Sequence, residues 1–98
     1  MLFVAMMEDE PSKLGERDKH RAAHLAYVES KLGTLQTAGP MHDPDTGDRL
    51  GATWMIEAPD AKAARAVVED DPLYKLGVRK SVRLVQWKQV FKDGKKIG

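Results

Sequence analysis

Apolar residues fall along this chain in two different rhythms. Leu2 to Met7 is an unbroken apolar run of six residues, a length that predicts a strand buried on both faces. Residues 8–15, with Pro11, Ser12 and Gly15, read as a loop. From Glu16 to Leu32 the rhythm changes to steps of three and four, through Leu25, Val28 and Leu32. Ala22, Ala23 and Ala26 add helix propensity, and Gly33 is a natural stop. Thr34 to Ala38 reads as a second strand closed by Gly39-Pro40, and residues 41–49 as an exposed loop. Leu50 to Ala58 reads as a third strand, apolar on both faces around Trp54, Met55 and Ile56. Pro59-Asp60 opens a second helix with Asp60 as N-cap and Ala61, Ala64, Val67 and Val68 as its packing stripe. Asp71-Pro72 ends it, since a residue before proline is pushed out of helical geometry. Leu73 to Gly77 reads as one short turn of helix. Val78 to Phe91 reads as a long last strand, and residues 92–98 as a flexible polar tail.

The predicted order is strand, helix, strand, strand, helix, strand. Right-handed crossovers turn that order into a ferredoxin-like α+β sandwich: a four-stranded antiparallel sheet with two helices on one face. The apolar first and third strands belong in the centre. The second and fourth, which carry Gln36, Arg79, Lys80, Arg83 and Lys88, belong at the edges. The other sheet face needs a cover, and a chain of 98 residues has none left to offer. A second copy packed sheet to sheet is the economical answer, so a homodimer is expected. The same length predicts one domain over residues 1–98 and a site completed by the dimer.

Composition narrows the function. Sixteen basic against fifteen acidic residues leave a net charge of +1, too little for a general nucleic-acid coat or membrane-surface protein. Residues 72–98 hold eight basic and one acidic side chain, a local +7, yet no cluster of base-stacking aromatics goes with it. Nucleic acid therefore ranks last among partners, and a small anionic molecule ranks above it. The absence of Cys removes thiol nucleophiles and Cys-held metals. No apolar run approaches the roughly 20 residues of a membrane span, and Glu8, Asp9 and Glu10 follow the first run at once, unlike a signal peptide. A cytoplasmic location is expected.

The candidate chemistry rests on few groups. His20 and His24 stand four apart on one helix face and would need a third ligand, such as His42 or Asp43, to hold a metal. His24 lies beside the Leu25-Val28-Leu32 stripe, where a half-buried imidazole can act as general acid or base. Ordinary structural histidines share these spacings. Asp70-Asp71-Pro72 reads either as solvated charge before a proline stop or as an inward-turned Asp71 that pairs with a His or Arg. Arg17, Arg21, Arg49, Arg65, Arg79 and Arg83 can each fork a carboxylate, though most arginines are solvated. No phosphate loop, dinucleotide fingerprint or nucleophile elbow is present, and no cofactor is implied.

Five blocks together carry a resemblance. They are Leu2-Phe-Val-Ala-Met6, Arg21-Ala-Ala-His24-Leu-Ala, Thr37-Ala-Gly-Pro40, Asp71-Pro-Leu-Tyr-Lys-Leu-Gly-Val78 and the strand from Val82 to Phe91. In order and spacing the chain resembles the YciI-like (YCII-related) family. The resemblance implies a dimeric α+β barrel and an active site at a His–Asp pair, which falls on His24 and Asp71. Some relatives act on muconolactone-like or chlorinated intermediates of aromatic breakdown. Family members often place Tyr directly after Asp-Pro, whereas here Leu73 intervenes before Tyr74. His20 matches no family position.

Two readings follow. In the first, the chain is an acid–base enzyme of lyase or isomerase type. His24 moves the proton, Asp71 orients it, and Arg21, Tyr74 and Arg83 are the substrate-binding candidates for a small organic acid or lactone, with no metal. In the second, the chain is a non-catalytic ligand-binding or interaction module with a structural His–Asp pair.

Overall fold

The computed structural model describes residues 1–98. Its first strand, β1 (Leu2–Asp9), lies between β3 (Arg49–Glu57) and β4 (Arg79–Gln86), and β2 (Leu35–His42) flanks β3. All pairings are antiparallel and the order is β2-β3-β1-β4, with the two most apolar strands central as expected. Along β1 burial alternates. Phe3, Ala5, Met7 and Asp9 turn inward, while Val4 and Met6 face the opposite side and are only partly covered. In the single chain the two central strands are therefore buried on the helix-covered face, and their other apolar face is the one for which the sequence predicts a second copy as cover. The core is the layer between that face and the helices, built from Phe3, Met7, Leu35, Trp54, Ile56 and Val68 with small alanines between them. No helix is long and apolar enough to cross a membrane.

The single helix predicted over 16–32 is two. After a 3-10 turn at Pro11–Lys13, α1 (Leu14–Lys19) stops at His20, whose φ of −108° and ψ of 17° break the helical run. Helix α2 (Arg21–Glu29) follows and buries no residue completely. Leu25 and Leu32 of its expected stripe are exposed, and Tyr27 and Val28 pack on the core instead. The Tyr27 hydroxyl donates to the Val67 carbonyl at 2.6 Å. Burial, then the charges of Asp70 and Asp71, push its pKa up to about 12, so it stays a donor.

Helix α3 (Ala61–Glu69) starts as predicted: the Asp60 side chain accepts from Ala63 N–H at 2.8 Å, and Ala64 and Val68 are buried. Helix α4 (Pro72–Lys75) has Asp71 as its N-cap, and Gly77 at φ +76° supplies the left-handed residue that ends it.

Strand β2 runs through Gly39 and Pro40, where the sequence predicts its close. An edge strand tolerates proline because one row of its N–H groups faces away from the ladder. The loop after it is tied by Asp43, whose carboxylate accepts from Asp45 and Thr46 N–H at 2.8 and 3.0 Å. Those two bonds hold the Asp43 pKa below the usual carboxylate value. Gly51 of β3 sits so close to β1 that a Cβ there would lie 1.7 Å from the Met7 carbonyl oxygen, so no side chain fits.

The long last strand is also shorter than predicted. β4 stops at Gln86, and the segment read as a polar tail contains a hairpin, β5 (Phe91–Lys92) with β6 (Lys95–Lys96). Asp93 and Gly94 turn it with φ of 53° and 73°, the positive pair a tight two-residue hairpin loop requires.

One irregularity decides where the charges go. Met7 pairs with Val82 and Glu8 with Ser81, but Asp9 pairs with Arg79, leaving Lys80 as an extra residue. Strict alternation from Val82 would set Lys80 on the core face and Arg79 outside. The bulge reverses this and sends Arg79 inward beside Asp9.

Candidate active site

Pro72 sets the first element of the site. It holds Asp71 extended, at φ −64° and ψ 132°, so that its carboxylate turns under the helices instead of into water. Asp71 is 1% exposed. Its Oδ1 accepts from Leu73 N–H at 3.2 Å, and both oxygens lie 2.9–3.0 Å from Nδ1 of His24 on α2. An ionised carboxylate can only accept, so Nδ1 carries the proton it donates, and in the neutral ring Nε2 is then the nitrogen with the lone pair. The imidazole also stacks on Trp54, with ring centroids 6.1 Å apart and planes 23° from parallel. Two contacts thus fix the ring, one polar and one flat.

His24 lines a cavity of about 290 Å³ bounded by α1, α2 and the β2–β3 side of the sheet. Leu25, Val28, Pro40 and Trp54 give it apolar walls, and Arg17, Arg21 and Arg49 give it positive charge. Its size is at the lower end of small-molecule sites, which run from about 300 to 1,000 Å³.

Behind the cavity runs a buried chain of charges. Arg79, with a side chain 0% exposed, donates through Nη1 to Asp9 Oδ1 at 2.6 Å, and its Nη2 lies 3.7 Å from Asp71 Oδ2. Asp9 Oδ2 then faces Arg49 Nε at 3.4 Å and Arg17 Nη1 at 3.6 Å. The order His24, Asp71, Arg79, Asp9 links the imidazole to the arginines of its own cavity. Arg49 has its pKa lowered, first by burial and then by the Arg17 charge, with Asp9 pulling the other way.

Of the residues expected at the site, His24, Asp71 and Arg21 come together. Tyr74 and Arg83 do not. Tyr74 borders a separate cavity between α3, α4 and β4, where its hydroxyl donates to Glu69 at 3.3 Å. Leu73, directly after Asp71-Pro72, lines the His24 cavity in its place. Arg83 pairs with Met6, which puts it on the open face of the sheet, away from the cavity. His20 pairs with Glu16 at 3.4 Å, and His42 lies 3.1 Å from the Gly47 carbonyl, so the three histidines do not converge. Sequence reasoning missed Asp9 as a site residue and placed Arg79 on an edge strand, as one of six arginines able to fork a carboxylate, without bringing it into a buried ion pair. Asp9 carried a signal, because it continues the inward positions 3, 5 and 7 of β1. Arg79 carried none, because the bulge reverses its side.

This βαββαβ layering, with a His–Asp pair between helices and sheet, defines a ferredoxin-like α+β protein with a small cavity beside that pair. The YCII-related domain matches residues 1–88, and the chain belongs to that family. A solved structure with 34% sequence identity and a TM-score of 0.81 covers 90% of this chain and 94% of its own. It is a 5-chloro-2-hydroxyhydroquinone dehydrochlorinase from Burkholderia phenoliruptrix, in complex with 2,5-dihydroxybenzoquinone. No curated protein is detectably similar in sequence.

Proposed function

We propose that this chain is an acid–base enzyme of the lyase type that eliminates a small anion from a hydroxylated ring or related small organic acid. The observation that carries the reading is the setting of His24: one ring nitrogen is tied to a buried carboxylate, and the ring borders a cavity sized for one small molecule. In this role Nε2 takes a proton from the substrate. On a chlorinated hydroquinone the ring first moves one hydroxyl proton to the chlorine-bearing carbon as its keto tautomer; Nε2 then takes a second hydroxyl proton, the electron pair forms a carbonyl, the ring double bond shifts to the chlorine-bearing carbon, and chloride departs. The net loss is one proton and one chloride, and no oxidant is needed. Asp71 holds the ring in the tautomer that can accept and stabilises the imidazolium that forms. Arg21 offers a fork for an acidic oxygen. The likeness to a dehydrochlorinase supports this reaction class.

The test is chloride release from 5-chloro-2-hydroxyhydroquinone. His24→Ala is expected to lower the rate by about 10²–10⁴-fold while the far-ultraviolet spectrum stays unchanged. Undiminished release by the folded variant would leave the His–Asp pair a purely structural role in a binding module.

The active form is proposed to be a homodimer that buries the open sheet face, with Val4, Met6, Met55 and Val85 at its centre. Sedimentation of the wild type should give twice the 10.9 kDa chain mass, and Met6→Arg should give one chain mass. A wild type that sediments as a single chain at micromolar concentration excludes the dimer.

A further inference from the structure

One polar group in the cavity wall is used by neither the His–Asp pair nor the buried ion cluster. It is the indole N–H of Trp54. Trp54 stands in the middle of β3, opposite Ala5 of β1 on one side and Ala38 of β2 on the other. Two alanines leave the space that an indole needs on the helix-covered face. The His24 ring then stacks on it, and Trp54 is left 2% exposed.

A buried indole N–H normally has an acceptor. Nε1 of Trp54 has none within the chain, yet it is not sealed off and keeps open surface. The open space that Trp54 borders is the His24 cavity. The charged side chains there do not supply the acceptor. Arg17, Arg21 and Arg49 only donate, and Asp18 stands at the rim, 70% exposed and paired with Arg17 at 3.0 Å. Nε2 of His24 does not supply it either. The N–H of one aromatic ring and the lone pair of the other each lie in the plane of their own ring. The two planes are 23° from parallel in a stack, so neither group points at the other.

We propose that the indole N–H of Trp54 is a substrate contact of this cavity, a donor that holds an oxygen of the ligand beside the imidazole. This inference deepens the reading above and rests on it for which oxygen that is: the hydroxyl whose proton Nε2 removes. A hydroxyl has one proton to give and two lone pairs, so it can donate to Nε2 and accept from Nε1–H at once. An amine in its place serves the indole less well, and an ether oxygen has no proton for His24. The contact therefore selects a hydroxyl over groups of similar size. It also strengthens as the oxygen gains negative charge, which puts its effect on the transition state.

The test removes the N–H and keeps the shape. In the Trp87→Phe chain Trp54 is the one tryptophan left, and biosynthetic incorporation of benzothienylalanine there replaces the indole N–H by sulfur. Chloride release from 5-chloro-2-hydroxyhydroquinone is expected to fall about 10–10²-fold in kcat, with KM within about threefold and the urea midpoint unchanged. A second readout needs no turnover. In the Trp87→Phe chain the single indole ¹H–¹⁵N signal should move downfield on titration with 2,5-dihydroxybenzoquinone, and should do so in the added His24→Ala variant as well. If His24→Ala keeps its turnover while the indole signal still moves, the acid–base reading fails and the Trp54 contact stands. An indole signal unmoved at millimolar probe overturns the contact. So does full turnover by the sulfur analogue.

Discussion

Arg79→Met is expected to destabilise the fold by about 3–5 kcal/mol, a large share of the roughly 5–15 kcal/mol that holds a domain together. Methionine matches the length of the arginine stem, so the loss comes from charge more than from volume. Removing the guanidinium takes away the 2.6 Å partner of Asp9 and the neighbour of Asp71, and both carboxylates are buried. Neither regains water. Arg17 and Arg49 stay near Asp9, but they lie 3.4 Å or more away and make no hydrogen bond to it. Urea titration should show a lower midpoint at unchanged slope. Adding Asp9→Leu to Arg79→Met should recover part of the loss, because an apolar pair avoids the stranded charge. A loss under about 1 kcal/mol in the single variant would mean that water reaches the cluster.

Asp71→Asn is expected to lower chloride release by about 10²–10⁴-fold, as much as loss of the imidazole itself. The amide oxygen can serve only one side, that of His24 Nδ1 and Leu73 N–H or that of Arg79 Nη2. If its NH₂ faces His24, the ring proton moves to Nε2 and the lone pair aimed at the substrate is lost. If its NH₂ faces Arg79, two donors oppose each other in the core. The effect should fall on kcat, with KM little changed, since Asp71 touches the ring of His24 and does not line the cavity. Wild-type kcat in the folded variant would show that His24 needs no orienting partner.

Strand order was legible because centrality leaves a mark: β1 and β3 are apolar enough for the middle, and β2 and β4 carry the charges of edges. Asp71 was half legible. The proline after it dictates an extended residue, but only the folded chain shows that the carboxylate then meets His24. Leu25 misled for a physical reason. A leucine that lines a cavity and one that fills a core follow the same helical rhythm, so the stripe on α2 reads as packing and is partly a cavity wall. Tyr74 misled by a single position. On a helix one residue is about 100° of rotation, which carries Tyr74 to the next cavity and leaves Leu73 at the site. Arg79 was out of reach, because period-two reasoning fails wherever one extra residue enters a strand.

The contact between Asp9 and Arg79 also has a place in time. It joins residues 70 positions apart, at facing ends of β1 and β4. Both groups keep their water until those strands lie side by side, so the contact is expected to form after the rate-limiting step of folding. An interaction made that late raises the barrier to leaving the native state and does little for reaching it. In a chevron plot Arg79→Met should leave the refolding limb within about twofold and raise the unfolding limb by more than about 10²-fold. A slowed refolding limb would instead place the pair in the folding nucleus. The buried charges are on this account a latch: they set how long the native chain lasts between unfolding events.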